Sequence, residues 1–217
     1  MRRQLAALGD RLKNWLSVAG DLIILNLLFI LCSIPVITLG AAEAACYTRI
    51  FRILLGERAS MPIAGFFKDF AAGFKKATLG WLIELACLAI LAGDIWFAVG
   101  YSEPDNTFFL IFAIVLAAVI LFAAVWFYPL VARFENTLRA HIKNSFLMAL
   151  AHFPKTLLAF LIQAAAIAIP VIFFDAFANL GWFWLLFGAS LPLYLTAKLI
   201  RGALKCEQAK PEAEEKK

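Results

Sequence analysis

Long apolar runs separated by short polar stretches set the elements of this chain. A helix needs roughly 20 apolar residues to cross about 30 Å of hydrocarbon, and Leu16–Leu39, Thr78–Gly100, Phe108–Val131 and Lys155–Phe174 each reach about that length. Trp182–Ile200 is as apolar and opens on Trp182 and Trp184, residues suited to a membrane–water boundary. The links Tyr101–Thr107 and Asp175–Gly181 carry turn formers and no Lys or Arg. Ile63–Lys76 and Phe134–Phe153 mix basic and apolar positions, which predicts amphipathic helices lying along the inner headgroups.

The stretch NLLFILCSIPVITLGAAEAAC (Asn26–Cys46) joins two of these patterns. A secretory signal has an apolar core of only 7–15 residues near the N-terminus; this run is longer and starts after Trp15. A lipoprotein cleavage site would want a Leu-like residue three before Cys46, where Glu43 stands. A joint between helices fits best. Pro35 disfavours helix in the residue before it, and Gly40 permits a bend. Ala41–Leu55 then returns as a short helix shielded by its neighbours. With that return the bundle has six membrane helices and both ends in the cytoplasm; without it, five spans and an external N-terminus.

Composition changes the picture from runs to class. The chain is 64% hydrophobic and 16% charged, against roughly 45–50% and about 25% in soluble domains. The expectation is an all-α, polytopic transmembrane bundle over residues 1–205, followed by a charged, disordered tail over 206–217. The 20 Lys and Arg avoid the two acidic links, so the positive-inside rule places the C-terminus in the cytoplasm. The net charge of +5 reads as this loop bias, not as a nucleic-acid surface. Cysteines without a CxxC read as reduced thiols. His141 and His152 have no acid or cysteine at metal-ligand spacing and are expected in solvated or interfacial positions. No catalytic motif is present, so neither an enzyme nor a cofactor or metal is expected.

Phe67–Leu91 aligns without gaps to Phe146–Pro170 with identity at ten of 25 positions. Each copy reads as an amphipathic cytoplasmic helix, a basic anchor and an outward span, which makes a parallel internal repeat of the kind some transporters contain. Glu84 falls opposite Gln163 across it. Ionisable and amide groups inside spans are candidate site residues, and Glu84, Gln163, Asn26 and Glu43 are the candidates for solute contact. Their competing role is to hydrogen-bond helices together. Lys68, Lys75, Lys76, Arg139 and Lys143 are expected to meet an anionic inner leaflet.

The order of residues in Asp21–Glu57, with Asn-Leu-Leu…Cys-Ser-Ile-Pro-Val-x-Thr-x-Gly, and in Phe66–Ile83, with Phe-Phe-Lys-x-Phe…Phe-Lys-x-Ala-Thr, resembles the YesL-like family of small bacterial integral membrane proteins. The resemblance covers Asp21 to about Gly100; beyond Phe108 it extends only to hydropathy and the basic link. It implies a bacterial cytoplasmic membrane and a carbohydrate-utilisation setting, with no settled activity. The leading expectation is a carrier, or an accessory to a sugar transporter, for a small polar solute. The alternative is a scaffold for other membrane proteins acting through the basic cytoplasmic face.

Overall fold

The computed structural model describes residues 2–56, 62–100, 106–172 and 174–209. Among them the elements are α1 (Arg2–Ser33), a 3-10 turn (Val36–Thr38), α2 (Leu39–Leu54), α3 (Pro62–Gly100), α4 (Asn106–Arg133), α5 (Leu138–Ala151), α6 (Phe153–Ile172), α7 (Phe174–Phe187) and α8 (Ser190–Ala209). Four helices, α1, α3, α4 and α6, are long and apolar enough to cross a membrane, and α7 with α8 forms a fifth candidate bent by 48°. Only 6–22% of the apolar windows in the four unbroken helices is buried. Their outward faces carry Trp96, Phe108, Ile167 and Val171, all largely exposed. Such a belt is out of place in water and at home against lipid.

The return helix expected after Pro35 is α2. Thr38 Oγ1 closes the turn by donating toward the carbonyls of Cys32 (2.5 Å) and Pro35 (2.7 Å). The thiol of Cys46 then lies 3.9 Å from the carbonyl of Leu25, so α2 runs back along α1. Its 16 residues rise only about 24 Å, too short for a span exposed to lipid. They do not need to be one. From Gly40 to Phe51 all but Glu43 and Thr48 are buried, with α1, α3, α4 and α8 packed around them. Gly40 has a different role from the expected bend. It sits in the first turn of α2, where a Cβ would strike Trp81 and the carbonyl of Ala77 on α3.

The two copies of the internal repeat differ in build. In the first, the amphipathic segment and the span are one 39-residue helix, rising about 58 Å. In the second, α5 ends at His152 and α6 begins at Phe153. Pro154 stands where the first copy has Lys75. Proline lacks the N–H that would continue the ladder and its ring crowds the carbonyl four residues back, so it is accepted in the first turn of a new helix. Thr156 secures this corner. Its hydroxyl accepts from Trp126 Nε1 (2.8 Å) and donates toward the carbonyls of Ala149 and His152 (3.1 Å each).

The C-terminal part departs most from expectation. The segment Asp175–Gly181, read as a turn, is helical and belongs to α7. The apolar run Trp182–Ile200 is not one straight helix but breaks at Gly188 and Ala189. Residues 206–209 continue α8; the rest of the tail and residues 101–105 of the other link lie outside the described residues.

One side chain holds the break. Asn26 on α1 is fully buried. Its Nδ2 donates to the carbonyls of Leu185 (2.6 Å) and Trp184 (3.3 Å), and its Oδ1 accepts from the N–H groups of Ala189 (2.8 Å) and Ser190 (2.9 Å). An amide offers two donors and two acceptor lone pairs, and all are engaged. Replacing Asn26 with Leu takes the partner from the Leu185 carbonyl and from the N–H groups of Ala189 and Ser190, while the Trp184 carbonyl keeps the N–H of Gly188, at a predicted cost of about 2–4 kcal/mol. Thermal unfolding of the purified protein in detergent measures this. An unchanged midpoint for Asn26→Leu rejects the clamp.

A candidate solute cavity at the broken span

Where α7 gives way to α8, the bundle leaves a cavity of about 530 Å³. Phe29, Ile30, Ser33 and Ile34 of α1, Leu39 and Glu43 of α2, and Gln163, Ala166 and Ile167 of α6 form its walls, with Trp184, Gly188, Ala189, Pro192 and Leu193 closing the hinge side. Trp184 is held there by a 3.3 Å hydrogen bond from its Nε1 to the carbonyl of Ala166.

Three polar side chains face this space. Gln163 donates from Nε2 to Tyr47 Oη at 3.1 Å. Ser33 Oγ is buried without a hydrogen-bond partner. Glu43 keeps part of its surface accessible, and among the described residues it forms no ion pair. Tyr47 lies one turn along α2 from Glu43, on the same face. That spacing was the available sequence signal for a polar pair, and Tyr47 is fully buried between the two candidates.

Glu84 lies elsewhere. It lines a smaller pocket of about 180 Å³ with residues of α3, α4 and α5 and accepts a 2.7 Å hydrogen bond from Tyr128 Oη. Glu84 and Gln163, opposite one another across the repeat, therefore do not share a cavity among the described residues. Glu43 lines the larger cavity and Glu84 the smaller one. Asn26, a candidate for solute contact, has no hydrogen-bonding position left for a solute.

On the basic side, Lys68, Lys75, Arg139 and Lys143 are exposed, whereas Lys76 is half-buried. Lys76 lines a polar pocket of about 380 Å³ with Thr48, Asp69, Arg133 and Glu135. Two charges escaped the sequence reading as a pair: Arg49 Nε lies 2.8 Å from Asp69 Oδ2, and both side chains are nearly buried. Arg52 joins from 3.5 Å. Gly65 makes room for the pair, since a Cβ there would overlap the Arg49 guanidinium. His152 stacks on Trp126 at 5.6 Å.

His141 overturns its expected solvated position. It is fully buried, edge-on to Phe127 at 6.3 Å, with both ring nitrogens unpartnered. Its place on α5 brings it under the end of α4, a contact that no spacing in the sequence announces. Burial, and then the charge of Lys76, hold its pKa below the ordinary imidazole value.

These features define a helical membrane protein with an open cavity at a broken span. Residues 22–95, about a third of the chain, match a family described as "Protein of unknown function, DUF624". The matched segment holds Asn26, Glu43, Tyr47, Arg49, Asp69 and Glu84 but ends before Gln163 and Trp184. No curated protein and no solved structure matches the chain.

The buried imidazole predicts a pH dependence. Above the ordinary value of about 6.5 it is neutral in both folded and unfolded chains, and its contribution to stability is full. Below that value the unfolded chain takes up a proton that the folded one resists. Stability therefore falls as pH drops toward the lowered folded pKa. Unfolding midpoints measured across about pH 5–8 should show this slope in the wild type and lose it in His141→Leu; equal slopes in both reject it.

Proposed function

We propose that this chain is a non-catalytic, multi-pass protein of a bacterial cytoplasmic membrane that binds a small solute in the cavity at the broken span, as a carrier or as an accessory subunit of a transporter. The observation that carries the reading is Glu43, a carboxyl that forms no ion pair among the described residues, facing a cavity of about 530 Å³ where a membrane helix is interrupted. An intramembrane carboxyl costs about 2.5–3.5 kcal/mol on insertion scales, and transporters commonly build solute sites at discontinuous helices. The YesL-like resemblance supports the location and makes sugars the first solutes to try.

Proteoliposomes containing only this protein should accumulate a labelled solute, and Ala166→Phe, which fills the cavity, should abolish the accumulation with insertion intact. Undiminished uptake by that variant moves the site elsewhere.

The second reading, a scaffold, is favoured by the exposure of Lys68, Lys75, Arg139 and Lys143. Each basic residue near an anionic surface contributes about 1 kcal/mol, so neutralising these four together with Lys76 removes several kcal/mol of surface attraction. Solute flux that survives this change supports the carrier. Loss of co-purifying membrane partners with flux absent throughout supports the scaffold.

Both readings take the C-terminus and the basic helices as cytoplasmic. Single cysteines in a Cys-less background test the sides: Thr107→Cys should react with an impermeant thiol reagent from outside, and Leu12→Cys and Asn136→Cys should not. External reaction at position 12 would place the N-terminus outside.

A further inference from the structure

We infer that the cavity at the broken span takes a small amphiphilic amine, an apolar body bearing one protonated nitrogen. This rests on the solute-binding reading above and names the chemical class that fits the walls. Most of the lining is aliphatic or aromatic, with Phe29, Ile34, Ile167 and Leu193 among it, and no Lys or Arg stands among the described lining residues to receive an anion. The Glu43 carboxyl, the Gln163 amide and the Ser33 hydroxyl on the cavity walls each carry an oxygen that accepts hydrogen bonds, which suits a ligand rich in N–H donors.

The Glu43 carboxyl decides the nitrogen and the apolar walls decide the body. A protonated amine spends its donors on Glu43 and its neighbours and lays its hydrocarbon along the remainder. A monosaccharide brings several hydroxyls to a surface with three polar side chains. Each hydroxyl left unpaired there would weaken binding by about tenfold. The volume of about 530 Å³ is ample for a phenylalkylamine.

Equilibrium binding of radiolabelled 2-phenylethylammonium and of radiolabelled glucose to the protein in lipid nanodiscs, corrected against empty nanodiscs, tests this. The amine should bind saturably. Glu43→Gln should weaken it by about tenfold or more, and Ala166→Phe should abolish it, with elution profile and helical content unchanged in both. Glucose should neither bind nor compete. Amine binding that is equal in wild type and Glu43→Gln overturns the inference. Saturable glucose binding, lost in Ala166→Phe, also overturns it but leaves the cavity as the solute site. If neither ligand binds the wild type, or Ala166→Phe alters neither, the amine inference and the solute-binding reading fall together.

Discussion

A chain in hydrocarbon has no water to satisfy its backbone, so a span can be interrupted only where other groups take the freed N–H and C=O. Here that requirement falls on Asn26. The last turn of α7 presents unpaired carbonyls and the start of α8 presents unpaired N–H groups. A single amide, with donors on one side and an acceptor on the other, meets both ends at once. Because Asn26 is fixed in α1 among Leu22, Leu25 and Leu28 of the core, the break is tied to the first helix. The 48° bend that follows opens the cavity and sets Trp184 and Gly188 on its wall.

The same economy of shielding governs α2. A helix of 16 residues cannot span the bilayer alone, yet it carries Tyr47 and Arg49 into the middle of the bundle. Small residues on its opening turns, Gly40, Ala41, Ala44 and Ala45, let α3 and α4 approach closely, the usual packing device between membrane helices. At its other end Arg49 is pushed against Asp69. A buried pair of this kind adds little net stability because desolvation offsets attraction, but losing one partner leaves an uncompensated charge. The pair therefore fixes how α2 meets α3 more than it strengthens the contact.

Glu43 occupies the part of α2 that this shielding leaves open. Its neighbours Ala42 and Ala44 are fully packed, while Glu43 itself turns toward α6 and the hinge. Glu84 has a tyrosine donor, and Arg49 and Asp69 have each other. Glu43 forms no such pair among the described residues, and it gives the cavity its carboxyl.

The sequence by itself determined the class of the protein and the number of its apolar runs, because hydrocarbon imposes a length and a polarity that any reading of hydropathy can follow. It also determined the return at Pro35, where proline geometry acts within a few residues. What it left open depended on contacts between distant segments. The run Trp182–Ile200 carries Gly188 and Pro192, which permit a break without requiring one; the break is stabilised by Asn26, more than 150 positions away. Glu84 and Gln163 match across a linear alignment, but helices choose their neighbours by packing, and α6 packs against α8, α4 and α7 while α3 packs against α2 and α4. His141 looked like a surface residue for the same reason. A polar side chain in an amphipathic stretch faces water or core according to how the helix is rotated, and only its contact with α4 fixes that rotation.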